Sequence, residues 1–303
     1  MRILLVWVGV CLIWSTVWLF IKLGLEDLPP VSFAGLRLLL AVLVLTPVVV
    51  ARRIALPRRG RDLALVAVTG FLLLGLNYAL LYWGAQFIPS GLTAVLQSTQ
   101  PAFGLLFAHR LLREERITPA KLAALALGVG GVAVISSEQL SVAGWEALWG
   151  CVAVTTAAVF VGLAYVLVKA RGAHLNPTAL MLGQMVCGML PLLTYGLAVE
   201  GNPLAFNWTT KAVVSLVYLV LAGSVAAFWL NYWLLKRMDA TKVLLMAIVE
   251  PLLAVLLGAL VLGETLTGRT FVGGAFILLS VALVLTRRGA SRATLEAAAA
   301  DEG

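Results

Sequence analysis

Apolar blocks of about 20 residues, separated by short polar connectors, set the pattern of this 303-residue chain. A helix of roughly 20 residues crosses the hydrocarbon core of a bilayer, which is about 30 Å thick. The connectors carry turn residues such as Pro29-Pro30 and Pro89-Ser90. The pattern therefore predicts an all-α integral membrane protein with ten transmembrane helices, near residues 3–24, 31–51, 63–85, 90–110, 119–136, 146–169, 176–198, 212–236, 241–262 and 269–287. We predict that the tail, residues 289–303, is disordered.

The composition supports a membrane protein and limits its chemistry. Apolar residues make up 62% of the chain and charged residues only 12%, and the mean hydropathy is +1.02. A soluble domain carries roughly 25% charged residues. The three cysteines lie inside apolar blocks without the spacing of a metal site or a disulfide framework. The sequence has no phosphate-binding loop of the Walker A type, so we expect no metal, no cofactor and no ATP-driven step.

Lysine and arginine predict the orientation, because these residues are retained on the cytoplasmic side of a membrane. With the N-terminus inside, 18 of the 22 basic residues lie in cytoplasmic segments. The other four are Lys22, Arg37, Lys211 and Arg269, at outer helix ends or within a span. Both termini are therefore predicted to be cytoplasmic. The net charge of +8 is explained by this topology and does not indicate nucleic-acid binding.

Related residues recur along the chain at a nearly constant spacing. At an offset of 150 the matched pairs are Tyr82 and Tyr232, Trp83 and Trp233, Gln100 and Glu250, Pro101 and Pro251, and Glu114 and Glu264; at an offset of 147 they are Lys22 and Lys169, Pro30 and Pro177, and Arg37 and Gln184. Each half holds five spans, an odd number, so the second half enters the membrane from the opposite face. We predict two inverted five-helix repeats, residues 1–138 and 139–288. Inverted repeats are typical of secondary transporters and place the substrate near the midplane.

Two groups of residues resemble a known family. They are Trp14-Ser15, Lys22, Pro30 and Arg37 in the first half, and Glu250-Pro251 and Leu262-Gly263-Glu264 in the second. They resemble the halves of an EamA-type repeat, in the ten-helix branch of the drug/metabolite transporter superfamily, over nearly the whole chain. Gly263-Glu264 has the Gly-Glu pair of the family pattern, whereas the corresponding position of the first half has Arg113-Glu114. Within the family the chain looks most like a YddG-type amino-acid exporter. The resemblance implies a multi-pass protein of the bacterial inner membrane that exports amino acids or related metabolites without ATP.

A polar pair lies near the middle of the predicted membrane. Gln100 and Glu250 are each about ten residues into their span, roughly 14 Å deep, and each precedes a proline. Pro101 and Pro251 remove a backbone hydrogen bond, so we predict helix breaks that free carbonyl groups for a substrate. The alternative is that Gln100 and Glu250 bond across the two helices. Glu250 is also a candidate proton carrier, although a uniporter fits the sequence equally.

Aromatic and amide residues form the second part of the predicted site. Tyr78 and Tyr82 are four residues apart, and Phe228 and Tyr232 repeat this spacing in the other half. Such a wall suits an amphipathic solute with an apolar body and a zwitterionic head. For Tyr82, near the outer helix end, an interfacial position fits equally. The remaining predicted substrate-binding residues are Trp18, Asn77, Gln97, Tyr165, Gln184, Trp229 and Asn231.

Two basic residues within the predicted spans need an explanation, because charge in a membrane is costly. Arg37 has three interpretations: it binds a substrate carboxylate, it pairs with Glu26 or Asp27, or it extends to the outer headgroups. Lys22 is nearer the surface, and we predict that it extends to the headgroups.

The leading hypothesis is a secondary transporter that exports amino acids, aromatic or other neutral ones, and related metabolites by alternating access. The nearest alternative is the same fold with another cargo, such as a drug, a nucleoside or a sugar derivative. A phosphorylated cargo would need several basic side chains in the cavity. A membrane-embedded lipid-modifying enzyme is less favoured, because intramembrane titratable residues are sparse. The expected partners are a small-molecule substrate and the lipid bilayer, and no oligomer is required.

Overall fold

The computed structural model describes residues 2–111, 119–172, 174–235, 246–264, 267–280 and 282–283. Within these ranges the chain is helical apart from short connections, and no strand is found there. The predicted disordered tail lies outside the described residues, as does Glu114. Among the residues of the predicted site, the side chains of Pro101, Phe228, Asn231 and Tyr232 also lie outside them.

Ten helical segments follow one another in the described part of the chain. They are α1 (Arg2–Leu25), α2 (Pro30–Ala51), α3 (Gly60–Ala85), α4 (Ser90–Gln97, continued by Gln100–Leu111), α5 (119–143), α6 (Gly144–Arg171), α7 (Pro177–Glu200), α8 (210–235), α9 (Met246–Leu262) and α10 (Gly268–Ser280). Five of them, α1, α2, α3, α6 and α7, are long and apolar enough to cross a membrane. The all-helical fold is confirmed, whereas ten crossings and the side of the termini stay predictions.

Two local features differ from the prediction: the connection between α5 and α6, and the regularity of α3 and α8. The backbone stays helical between α5 and α6 except at Gly144, where φ is 80° and ψ is −167°. A residue without a Cβ adopts that conformation most readily, so a single glycine replaces the expected loop. In addition, α3 and α8 widen into π-helical turns at Phe71–Leu76 and Leu219–Ala226. Such turns are frequent at functional sites, and each precedes the predicted aromatic positions.

Helices from the two ends of the chain pack against each other. α2 packs against α7, and α4 packs against α9. α1 contacts α8 and α9, while α6 contacts α3 and α4. α2 also contacts α8, and α7 contacts α3. Exchanging α1–α5 with α6–α10 converts each of these contacts into itself or into another contact of the same set.

Two glutamates hold the ends of neighbouring helices together. Glu264, just after α9, accepts hydrogen bonds from the Ser90 backbone nitrogen at 2.7 Å and from its Oγ at 3.0 Å, at the start of α4. Glu200, at the end of α7, accepts from the backbone nitrogens of Val31 at 3.0 Å and Ser32 at 2.6 Å, at the start of α2. These carboxylates satisfy N–H groups that a helix start leaves unpaired, and the helix dipole favours their charge. Glu264, part of the Leu262-Gly263-Glu264 motif, therefore has a role in the fold.

Lys22 caps the C-terminal end of α3. Its Nζ donates to the carbonyl oxygens of Ala85 at 2.9 Å, Gln86 at 3.0 Å and Ile88 at 2.9 Å. A cation favours the C-terminal end of a helix, where carbonyl groups are unpaired. The sequence did not predict these three carbonyl partners, and the expectation that Lys22 extends to the headgroups stays a prediction, because the end of α3 that it caps is itself expected at headgroup level.

Candidate functional site

A cavity of about 430 Å³ lies between α1, α2, α3, α4, α6, α7, α8 and α9. Nine of the predicted site residues line it: Trp18, Arg37, Asn77, Tyr78, Gln97, Gln100, Tyr165, Gln184 and Glu250. The structure therefore brings together polar residues that are far apart in sequence. Their role in substrate binding stays a prediction.

The guanidinium group of Arg37 is held in the cavity wall with only 3% of the residue exposed. Its Nε donates to the Ser224 Oγ at 3.1 Å, and its Nη1 donates to the Tyr82 Oη at 2.9 Å. The guanidinium carbon also lies 5.2 Å from the centre of the Tyr78 ring, within the range of a cation–π interaction. Three contacts from α3 and α8 thus fix the position of this charge.

No carboxylate in the described part of the chain forms an ion pair with Arg37. Glu26 and Asp27 instead bind Lys211, whose Nζ lies 3.6 Å from the Asp27 Oδ2. Asp27 also accepts a hydrogen bond from the Thr209 hydroxyl at 2.6 Å. Two interpretations of Arg37, pairing with these acids and reaching the headgroups, are therefore wrong. The buried guanidinium keeps N–H groups at the cavity, where an anionic group of a ligand would reach them.

Tyr82 is fully buried and lies behind Arg37. Its ring packs edge-on against Phe33, with centroids 5.4 Å apart. It also packs at a tilt against Tyr78, with centroids 5.6 Å apart and ring planes 31° apart. The interfacial interpretation of Tyr82 is therefore wrong. Its hydroxyl does not line the cavity itself but orients the guanidinium group that does.

A chain of amide groups follows the break in α4. The helix is interrupted between Gln97 and Gln100, immediately before Pro101, where a break is predicted. Gln100 Nε2 donates to the Gln97 Oε1 at 2.6 Å, and Gln97 Nε2 donates to the Asn77 Oδ1 at 3.3 Å. Asn77 Nδ2 in turn donates to the carbonyl oxygen of Leu73 at 2.9 Å. These bonds give the cavity a polar wall of fixed orientation.

Glu250 lies in α9 and lines the same cavity as this amide chain. Its carboxyl group is close to the indole nitrogen of Trp18, but the two do not meet the distance and angle of an ordinary hydrogen bond, so the indole N–H is buried without a partner. No described hydrogen bond joins Gln100 to Glu250, which leaves the cross-helix pairing unsupported. Of the described residues that line the cavity, Arg37 and Glu250 are the only charged ones.

The predicted break at Pro251 is not found, because α9 remains helical from Met246 to Leu262. Proline removes only the hydrogen bond to the carbonyl group four residues earlier, and here the helix continues past the missing bond.

The prediction that Trp229 lies in the substrate site is also wrong. It is 62% exposed and does not line the cavity. The repeat offset explains the error: Trp229 matches Ala79, not the neighbouring Asn77 or Tyr78.

Two residues beside Arg37 were not predicted from the sequence. Ser224 and Gly223 contact Arg37: a Cβ on Gly223 would lie 3.4 Å from the guanidinium Nη2, so glycine leaves space beside it. The repeat partners of these two residues, Leu73 and Leu74, carry no polar group, so the repeat offered no signal. A hydroxyl deep in an apolar block was the available clue.

The sequence pattern of the EamA-like transporter family matches residues 1–137 and again residues 148–286. The chain belongs to this family. The EamA-like assignment makes it a multi-pass membrane protein and supports transport as its function, in agreement with its long apolar helices.

Relatives of this EamA-like chain are named as transporters. The uncharacterized transporter YoaV of Bacillus subtilis (strain 168) is 30% identical over 258 residues, which are 85% of this chain and 87% of YoaV. The uncharacterized inner membrane transporter YedA of Escherichia coli (strain K12) is 26% identical over 82% of this chain and 78% of YedA. Neither name specifies a cargo, so the YddG-type subtype gains no support from them.

A protein of known crystal structure shares the EamA-like fold. It superposes with a TM-score of 0.63, at 20% sequence identity, over 95% of this chain and 98% of that one. At this identity the likeness extends to the fold alone.

Proposed function

We propose that this EamA-like protein is a secondary transporter that exports neutral amino acids, aromatic ones included, and related metabolites across a bacterial inner membrane. The observation that carries the proposal is the buried guanidinium of Arg37, which faces a central cavity without a described carboxylate partner. A substrate carboxylate would supply the missing charge. Arginine binds carboxylates through two parallel hydrogen bonds, which gives affinity and orientation together.

The rest of the cavity suits the other parts of an amino acid. Among the described residues that line the cavity, Glu250 is the one acid. We propose that its carboxyl group binds the substrate ammonium group. Apolar side chains that line the same cavity, including Trp14, Met181 and Met185, would contact the substrate side chain. Methionine side chains adapt to different shapes, which fits a carrier for several neutral amino acids.

Transport would proceed by alternating access between two inverted repeats, residues 1–138 and 139–288. Three observations support the repeat: the family pattern matches twice, the contacts between helices of different halves are preserved when the halves are exchanged, and wide turns occur at Phe71–Leu76 and Leu219–Ala226. Inverted repeats allow the two halves to rock about a site at their interface.

The structure fits a state that is open to the cytoplasm. Exposed residues near the ends of α6 and α7, Tyr165 and Pro177, line the cavity. The distribution of lysine and arginine predicts that these helix ends are cytoplasmic. Near the opposite ends of α2 and α3, Phe33 and Tyr82 are buried, as a closed outer side would require. A substrate would therefore enter from the cytoplasm, as export requires.

Counterflow in liposomes tests the proposal. Purified protein is reconstituted into vesicles loaded with unlabelled L-tyrosine, and uptake of labelled L-tyrosine is measured against added competitors. We expect L-leucine and L-phenylalanine to compete, and tyramine, which lacks the carboxylate, to compete at least ten times more weakly. An absence of counterflow for every amino acid tested, or equal competition by tyramine, would contradict the proposal.

A phosphorylated cargo is less well supported by the same cavity. A phosphate group is usually bound by several converging basic side chains. Among the described lining residues Arg37 is the one basic side chain. We therefore propose a carboxylate and not a phosphate as the anionic group of the substrate.

A further inference from the structure

A second cavity, of about 860 Å³, opens between the start of α3 and the end of α6. It shares no lining residue with the central cavity. Its mouth carries Arg59, Arg61 and Arg171, and its wall carries the apolar side chains of Val68 and Leu167. We call it the basic groove.

The charge of the basic groove is not balanced by its acidic residue. Asp62 lies in the groove, but its Oδ1 is 3.0 Å from the His174 Nε2 and is engaged there. No described ion pair involves Arg59, Arg61 or Arg171, and all three are exposed. Three exposed arginines therefore line one opening, and they suit a phosphate group because arginine binds phosphate through paired hydrogen bonds.

The position of the basic groove along the helices indicates the membrane surface. Gly60 is the first residue and Arg171 the last residue of two helices that are long and apolar enough to cross a membrane. The ends of such helices lie at the level of the headgroups. Val68 is eight residues further along α3, roughly 12 Å deeper at about 1.5 Å per residue. The groove thus leads from a basic mouth at headgroup level to an apolar wall at hydrocarbon level.

We propose that the basic groove binds an anionic phospholipid, with its phosphate at Arg59, Arg61 and Arg171 and an acyl chain along Val68 and Leu167. Free phosphate would use the arginines but would leave the apolar wall uncovered. The predicted topology places this face on the cytoplasmic side, and basic pockets between helices on that side recognise anionic headgroups. A lipid in this position would contact α3 and α6 at once.

Binding of a fluorescent phosphatidylglycerol to the purified full-length protein in detergent tests the proposal. The variant R59Q/R61Q/R171Q removes the three basic groups of the groove. The matched control R52Q/R53Q/R58Q removes three exposed arginines that precede α3 but do not line the groove. A basic residue near an anionic surface contributes about five-fold in affinity. We expect a loss on the order of 100-fold for the groove variant and less than about five-fold for the control.

Three results would overturn the proposal: equal losses in the two triple variants, equal binding of phosphatidylcholine and phosphatidylglycerol by the unchanged protein, or displacement of the lipid by an equal concentration of inorganic phosphate. The last result would identify a site for free anions. If the triple variant does not fold, the single variants R171Q and R58Q are compared, with an expected difference of about five-fold. V68W, which keeps every charge and fills the apolar wall, is expected to weaken binding of the lipid; unchanged binding would contradict the proposed path of the acyl chain.

Discussion

Replacement of Arg37 by glutamine is the most direct perturbation of the proposed substrate site. Arginine has five N–H groups, and two of those in Arg37 are used by Ser224 and Tyr82. The remaining three are enough for a bidentate contact with a carboxylate. R37Q removes the charge and both of these substrate contacts, and it leaves the substrate carboxylate without its partner.

The expected magnitude follows from the hydrogen bonds lost. A hydrogen bond to a charged group contributes about 1.5–3 kcal/mol, which corresponds to roughly 10- to 150-fold in affinity. We expect R37Q to raise the half-saturation concentration of L-tyrosine by at least this factor. R37K keeps the charge but cannot hold Ser224, Tyr82 and a carboxylate together, because an ammonium group lacks the planar fork. We expect an intermediate value for R37K.

The assay compares each variant with substrates that do and do not carry the carboxylate. Half-saturation in liposome counterflow is measured for L-tyrosine and for tyramine as a competitor. The loss in R37Q is expected for L-tyrosine and not for tyramine. K211Q is the control, because Lys211 forms an exposed ion pair with Glu26 outside the cavity. An equal loss for both compounds, or an unchanged L-tyrosine value in a variant that elutes as a folded protein, would refute the assignment of Arg37.

Three further predictions concern other residues. If Glu250 carries a proton, flux through the unchanged protein responds to an imposed pH gradient and flux through E250Q does not; a flux of the unchanged protein that ignores the gradient would remove this role. E264A deletes the cap of α4, so we expect a loss of about 0.5–2 kcal/mol in the free energy of unfolding. The melting temperature of E264A in detergent should be lower than that of E146A, which replaces an exposed acid. Equal melting temperatures would contradict the capping role. W229A changes an exposed side chain outside the cavity and should leave counterflow kinetics unchanged, whereas a large loss would return Trp229 to the site.

Polar residues within apolar blocks were good predictors of the central cavity. Asn77, Gln97 and Gln184 are almost fully buried in the structure and reach the cavity. The physical reason is general: an amide is too costly to leave in hydrocarbon, so it faces other helices or a solvated space. A buried amide therefore marks the inward face of its helix even when the neighbouring helices are not known.

The partners of these residues could not be predicted, because they depend on distances between helices. Nothing in the sequence shows that Arg37 would bind Ser224, which is 187 positions away. The same holds for Lys22, whose three acceptors are carbonyl groups that any residue could provide. Carbonyl acceptors carry no side-chain signal, so a capping lysine and a lysine that extends to the headgroups look alike in a sequence.

The charges of the central cavity break the symmetry that the helix packing preserves. Arg37 corresponds to Gln184 at the offset of 147, and Gln100 corresponds to Glu250 at the offset of 150. Gln184 donates to the Thr69 hydroxyl at 2.9 Å, so the second half has a neutral side chain where the first half has the cation of Arg37. The positive charge therefore belongs to the first proposed repeat and the negative charge to the second.

This division of charge suggests how binding and movement would be connected in the proposed mechanism. A zwitterion that satisfies both Arg37 and Glu250 must contact both repeats at the same time. Rocking of one repeat against the other would change the distance between the two charges and hence the affinity for the substrate. A ligand shifts a conformational equilibrium only through such a difference in affinity. A substrate with one charge would contact one repeat and would be expected to bind without the same effect on the equilibrium.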